Sequence, residues 1–178
     1  GSLRVEVKEL AQKDVWQSRQ FDGTTVTKDS KINMGNLTIN GTSIDTTNKS
    51  YSDLVTEINK ISGVQASLIE SSDGKFRLAI KSTETGTANK INFNTKDISG
   101  NDLGVSSGAA KLFGDGSALS DSLNVLKAQD MELKADGVNY SSSSNTVTID
   151  GLKITATKKG GDSTINIEND TTTLSDQM

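Results

Sequence analysis

Cysteine and histidine are both absent from the 178 residues. Without cysteine there are no disulfides, no zinc–thiolate sites and no thiol nucleophile. Without histidine the commonest general base and the commonest metal ligand are missing. Together these absences exclude most hydrolase chemistry at neutral pH and leave only carboxylate chemistry or a Ser–Lys pair to consider. Aromatic residues make up 4% of the chain and hydrophobic residues 32%, so any core is thin and built from Ile, Leu and Val. No run approaches the roughly eighteen apolar residues of a membrane-spanning helix, so membrane insertion is not expected. No signal peptide is recognisable; Gly1-Ser2 reads as the scar of a cleaved tag, with the natural N-terminus expected elsewhere. Positive charge is nowhere concentrated. The 19 basic and 23 acidic residues give a net charge of −4, and the densest basic spot, Lys158-Lys159, runs straight into Gly160-Gly161 and reads as a turn. Such a chain lacks the basic footprint of a nucleic-acid binder.

What the chain does have is Ser, Thr, Asn, Asp and Gly in quantity, the mixture of exposed strands joined by tight turns. The net charge is too small to enforce disorder, and the length suits one ordinary domain or two small ones. Leu3, Val5 and Val7 alternate with Arg4 and Glu6, the period-2 pattern of a half-buried strand. Val15 and Trp16 are the large apolar residues of the polar stretch 11–20. Leu37-Thr38-Ile39 followed by Asn40-Gly41 predicts a type I′ hairpin over 36–46. Leu54, Val55, Ile58 and Ile61 fall at helical spacing and predict a helix near 52–61, with Ser50 or Ser52 as N-cap and Gly63 at C′. A second hairpin is expected from Val64, Ala66 and Leu68 through Ser72-Asp73-Gly74 to Phe76, Leu78 and Ile80, and one more strand at Ile91 and Phe93. Residues 99–116 read as a surface excursion anchored at Leu103, Val105 and Leu112-Phe113. Leu119, Leu123 and Leu126 suggest a short helix.

A terminal β block follows, at Met131-Leu133, Val138-Tyr140, Val147-Ile149, Leu152-Ile154 and Ile165-Ile167, spaced like an antiparallel meander or sandwich. The first strand has few local partners and is free to join this block. The fold class expected is therefore mainly β, sandwich- or meander-like, with one or two short helices. Two small domains are expected, one inserted into the other: residues 1–22 with 123–178, and residues 23–122.

Candidate chemistry is sparse. Asp115–Asp121 places carboxylates near glycines but lacks the ligand spacing and closing Glu of an EF-hand, and a solvated turn accounts for it. The carboxylate pairs Glu84/Asp73 and Glu168/Asp170 are what a glycosidase would need, yet both lie in turn or edge segments. For Ser–Lys chemistry, Lys81-Ser82 sits at a strand end next to a turn, without a strained elbow around it. Trp16 reads as a core or inter-domain contact. The Asn-x-Ser/Thr triplets at Asn36, Asn40, Asn48, Asn139 and Asn169 are expected by chance in so Asn- and Thr-rich a chain. No catalytic, metal-binding or cofactor-binding residue is assigned, no cofactor is expected, and no binding residue is identified.

Three stretches, taken in order, resemble one family. They are Val5-Glu-Val-Lys-Glu-Leu-Ala-Gln-Lys-Asp-Val-Trp-Gln-Ser18; the run from Asp53-Leu54 through Ile58-Asn59, Gly63-Val-Gln-Ala-Ser-Leu68, Gly74-Lys-Phe-Arg-Leu78 and Lys81-Ser-Thr-Glu-Thr-Gly-Thr-Ala-Asn89; and the run from Ala128-Gln-Asp-Met-Glu-Leu-Lys-Ala-Asp-Gly-Val138 through Ser144-Asn-Thr-Val147 and Asp150-Gly-Leu-Lys-Ile154 to Thr164-Ile-Asn-Ile-Glu-Asn-Asp170. Together they are similar to the flagellar filament-capping protein family, also called hook-associated protein 2. The resemblance implies a secreted, extracellular structural protein at the flagellar tip. Such a protein self-associates into a ring whose outer β-rich domains form a plate over the export channel, while helical legs help flagellin to assemble. This chain would be the two plate domains, and the long amphipathic leg ends, coiled coil in the parent, lie outside it. The resemblance implies no catalytic residue. The alternative is a tip-located adhesin whose β domains contact host glycans or a receptor through Trp16, Tyr51 or Tyr140. A carboxylate glycosidase is the third reading.

Overall fold

A computed structural model describes residues 3–161 and the backbone of residues 165–169. In chain order the strands are β1 (Val5–Glu9), β2 (Val15–Gln17), β3 (Asn36–Ile39), β4 (Thr42–Asp45), β5 (Val64–Glu70), β6 (Phe76–Ser82), β7 (Asn94–Lys96), β8 (Asp102–Val105), β9 (Met131–Ala135), β10 (Val138–Ser142), β11 (Thr146–Ile149), β12 (Leu152–Ala156) and β13 (Ile165–Asn169). The helices are α1 (Tyr51–Ile58) and α2 (Ser107–Leu112). The fold is mainly β, as expected.

The chain divides into two units, with Asp14–Thr83 and Lys90–Lys127 in one and the described residues before, between and after them in the other. Residues 14–22 and 123–127, expected with the terminal block, lie in the inserted unit. The apolar side chains there explain why. Trp16 is buried in that unit's core, Phe21 exchanges backbone hydrogen bonds with Phe76 at 2.7 and 3.1 Å, and the Val15 N–H donates to Leu126 O at 2.8 Å. Residues 84–89, expected within the insertion, belong instead to the terminal unit.

The terminal unit holds two three-stranded antiparallel sheets, β1-β9-β10 and β11-β12-β13. Val5 stands opposite Ala135, and Val7 opposite Leu133. Strand alternation turns these four inward with Met131, and Ile149, Ile154 and Ala156 complete a core without an aromatic ring among its buried members. The Asp136-Gly137 and Asp150-Gly151 turns both have positive φ at each residue (47° and 82°; 51° and 80°), as type I′ hairpins require. Segment 84–89 is tied down by Thr87, whose N–H and Oγ1 donate to the two oxygens of Asp130 at 2.9 and 3.0 Å.

The inserted unit is built on the sheet β2-β6-β5, the hairpins β3-β4 and β7-β8, and both helices. Ser50 caps α1 in a capping box: its side chain accepts from the Asp53 N–H, and the Asp53 carboxylate accepts from the Ser50 N–H. Tyr51, Leu54 and Ile58 face the core. The helix ends at Ile58 rather than 61 because the Asn59 side chain leaves the helical course to pair with the strand that follows. Its Nδ2 donates to Ala66 O at 3.0 Å, and its Oδ1 accepts from the Ala66 N–H at 2.7 Å. Gly63 (φ 88°) therefore serves the turn into β5, not the helix C′ position.

Ile91 and Phe93 are buried as core residues but carry no strand. Their backbone instead meets Asn40, whose N–H donates to Asn92 O at 2.8 Å and whose Oδ1 accepts from the Asn92 N–H at 3.0 Å. The expected surface excursion at 99–116 is also corrected: α2 buries Ala109, Ala110, Leu112 and then Phe113. Gly108 lets α2 lie directly on β3, since a Cβ there would sit 2.8 Å from the Asn36 carbonyl oxygen. Between Leu119 and Leu126 the only helical turn is a 3₁₀ turn over Asp121–Leu123. Six of the seven aromatic residues lie in this unit. Trp16 packs edge-on against Phe93 and Phe113 (5.6 and 6.3 Å between ring centroids), and Phe21, Tyr51 and Phe76 form a second cluster at 4.8–5.4 Å.

Candidate interaction surface

The structure separates the residues that might have acted together chemically. Lys81 and Ser82 are neighbours on β6, so their side chains leave opposite faces of the sheet. Ser82 is buried and its Oγ accepts from the Asp14 N–H at 2.9 Å, whereas Lys81 is exposed. Asp115 is spent on a turn, its Oδ1 accepting from the Ser117 N–H, the Ser117 hydroxyl and the Ala118 N–H at 2.9–3.0 Å. Asp121 pairs with Lys127 at 3.0 Å. Asp73 closes the β5–β6 turn with Ser71 and Lys75, and Glu84 belongs to the other unit. Glu168 lies on β13, paired in register with Lys153. Its side chain, Asp170, Thr164 and Gly1-Ser2 are outside the described residues. Among the described residues no cluster of three or more acidic residues could hold a metal ion.

The aromatic platform of the adhesin alternative is largely interior. Trp16 is 6% exposed and Tyr51 2%, while Tyr140 is half-buried. Trp16 is a core residue of the inserted unit, and its Nε1 finds no acceptor among the described residues.

Two surface features of the inserted unit stand out instead. On the sheet β2-β6-β5, alternation sends Trp16, Phe76, Leu78 and Ile80 to the core and leaves Val15, Gln17, Ser67, Ile69, Ala79 and Lys81 around a groove of about 640 Å³. Lys81 stands between Val15 and Gln65 in the strand register. It is the one charged side chain lining the groove and forms no ion pair with any described residue. Ile69, 45% exposed, lies on β5 at the edge of the sheet.

The second feature is the β7–β8 turn. Ile98 is fully exposed at its tip, and Leu103 on β8 is 62% exposed and so is no core anchor. The turn is held by Asp97. Its Oδ1 accepts from the Ser99 and Asn101 N–H groups at 2.9 and 2.8 Å, its Oδ2 accepts from Asn101 Nδ2 at 3.1 Å, and the Gly100 N–H donates to its carbonyl at 2.9 Å. The Asn101 bonds, first of these the backbone N–H, hold the Asp97 carboxyl below its ordinary value. Asp102 is lowered likewise by the Gly104 N–H and Asn94 Nδ2. Neither feature is visible in periodicity. One is the back of a sheet whose front carries the pattern, and the other is a lone isoleucine in a polar loop.

No family profile matches the chain. Flagellar hook-associated protein 2 of Campylobacter jejuni subsp. jejuni serotype O:2 is 30% identical over a 201-residue alignment that takes in 95% of this chain. The chain spans 31% of that relative's length. The D2-D3 domains of the flagellar cap protein FliD from Serratia marcescens superpose with a TM-score of 0.65 at 23% identity, covering 95% of this chain and 92% of theirs. The D2-D3 domains of Escherichia coli FliD give 0.62 at 24% identity, with 96% and 89% covered, and FliD of Pseudomonas aeruginosa PAO1 gives 0.58 at 24%, with 96% and 73% covered. These solved structures establish the fold, and the sequence alignment runs through the same elements. In sequence the chain is thus similar to flagellar hook-associated protein 2 over 95% of its length, and in fold it is similar to the D2-D3 domains of the flagellar cap protein FliD.

Proposed function

We propose that this chain is the plate portion of a flagellar filament cap. Its parent self-associates into a ring at the filament tip, outside the cell, and the two β units form the surface beneath which flagellin subunits assemble. The observation that carries this reading is the alignment with hook-associated protein 2 over 95% of the chain. The physical character of the surface agrees with it. Of the chemically suggestive residues, Asp73 and Asp115 are spent on turns and Ser82 on a core contact, and the exposed apolar side chains include Ile98, Leu103 and Ile69. A scaffold that works by contact needs such anchors and no reacting group. The protein accordingly acts without turnover.

The test is flagellin partition in a strain whose parent gene lacks the segment encoding these residues. Short or missing filaments with unpolymerised flagellin in the medium are expected. Normal filaments without leakage would refute capping as the work of this segment.

A further inference from the structure

We propose that the Ile98 tip of one copy docks into the β2-β6-β5 groove of a neighbouring copy, a head-to-tail contact between inserted units. The inference rests on the ring reading above and specifies a contact within it.

Three observations converge on a second copy as the occupant. The tip offers the fully exposed aliphatic side chain of Ile98 on a turn that is already ordered. A rigid anchor loses little conformational freedom on binding, which is what makes a small contact productive. The groove has a volume of about 640 Å³ and apolar side chains from Val15, Ile69 and Ala79 among its lining, so it can take an aliphatic knob. The charges are also complementary. The tip bears Asp97 and Asp102 against the single cation Lys96, whereas the groove bears Lys81 alone. Charges of opposite sign at the rim favour correct register and suppress tip-to-tip pairing, where the same carboxylates would face one another.

The two patches are different surfaces of the same unit. A knob-to-groove contact is therefore heterologous and leaves a free groove at one end and a free tip at the other. Successive copies can repeat it until the rotation closes a ring.

The chain brings no cysteine of its own to the test, and any cysteine of the parent outside it is replaced by serine. Ile98→Cys and Ser67→Cys are both exposed positions, Ser67 lying beside Ala79 in the register. The two variants, each placed in the full-length parent with no other cysteine, are mixed under mild oxidation and the cross-linked peptides mapped by mass spectrometry. The expected product joins residue 98 of one copy to residue 67 of another. Ile98→Ser in the parent should also lower the oligomer fraction in sedimentation at least threefold at matched concentration. If the parent sediments as an oligomer but only 98–98 links form, or none, this contact is refuted while the ring reading stands. If the unsubstituted parent is monomeric at every concentration, the ring reading falls and this contact with it.

Discussion

Replacing Asp14 by Asn should unfold the inserted unit far more readily, although the two side chains are nearly the same shape. Asp14 is 1% exposed. Its Oδ2 accepts from the Ile91 N–H at 2.8 Å and its Oδ1 from Asn124 Nδ2 at 2.9 Å, while its own N–H and carbonyl engage Ser82 at 2.9 and 2.8 Å. One carboxylate thus ties the start of β2 to two segments that are remote in sequence. Both side-chain partners are donors. An amide can answer one of them with its oxygen, but must turn an NH₂ toward the other. The substitution exchanges two charge-assisted bonds of about 1.5–3 kcal/mol each for one neutral bond of about 1 kcal/mol and a buried donor without a partner. The expected loss for Asp14→Asn is about 2–4 kcal/mol, and Asp14→Ala, which strands the Ile91 N–H and leaves Asn124 Nδ2 only the Val15 and Leu126 carbonyls, should cost about 3–5 kcal/mol. With a urea slope of about 2 kcal/mol per molar, the midpoint for Asp14→Asn falls by about 1–2 M. Trp16, the only tryptophan, is buried in the same unit and reports its unfolding by fluorescence. A change for Asp14→Asn within the roughly 0.5 kcal/mol of an ordinary surface substitution would show that the bridge carries no weight.

The Asp22 carboxyl is lowered from 3.8 to about 2 by the Val26 and Thr24 N–H groups. Asp45, Asp53, Asp73, Asp97, Asp102 and Asp115 are also lowered, by bonds to turn and cap groups. A depressed carboxyl adds stability above its unfolded value and loses it as pH falls through the folded one, so urea midpoints should decline as pH falls from 3.8 toward about 2. A flat profile there would contradict the assignment. Gly86→Ala puts a Cβ 2.8 Å from Ser143 O at φ +101° and should cost about 1–3 kcal/mol in thermal melts, with an unchanged melting temperature counting against it. Trp16→Phe loses bulk but also removes an unpaired donor, so it should cost under about 2 kcal/mol where Trp16→Ala costs about 3–5; equal losses in circular-dichroism melts would argue that Nε1 is satisfied. Asp97→Ala should speed amide exchange at residues 98–101 while moving the global midpoint by less than about 0.5 kcal/mol. Unaltered exchange would mean that the turn does not need its carboxylate.

Elements with a regular apolar pattern were legible from the residues alone. The β3–β4 hairpin announced itself through Asn40-Gly41, α1 through Leu54 and Ile58, the β5–β6 hairpin through Asp73-Gly74, and β9–β13 through alternation. What escaped the sequence were decisions made by single side chains. Asn59 ends α1 early by pairing with Ala66. Asp14, read as one acid in a polar stretch, proves to be a buried crosslink. Helix α2 is six residues of mostly small side chains, too short for a 3.6-residue period to register, and its burial depends on how closely Gly108 meets the β3 backbone. The surface features were legible only in part. Lys81 and Ile69 gain meaning from the strand register, and Ile98 from the turn that exposes it.

The polar composition that keeps these cores thin also explains how the loops hold their form. Seven aspartates have lowered carboxyls, and each accepts hydrogen bonds from groups within four residues of itself. Asp22, Asp73, Asp97 and Asp115 do so in turns, and Asp45 and Asp102 at the ends of β4 and β8, where a short acidic side chain answers nearby backbone donors. Asp53 does the same at a helix start. Such bonds are local and exposed, so each adds little to global stability. Their effect is on the loop itself, which loses alternative conformations without needing buried apolar area. A protein with 32% hydrophobic residues cannot fix its loops by packing, and locally answered carboxylates let it fix them by hydrogen bonding instead. The β7–β8 turn is where this has a consequence at the surface: the bonds that use up Asp97 are what hold Ile98 out, ordered and uncovered, as a contact in waiting.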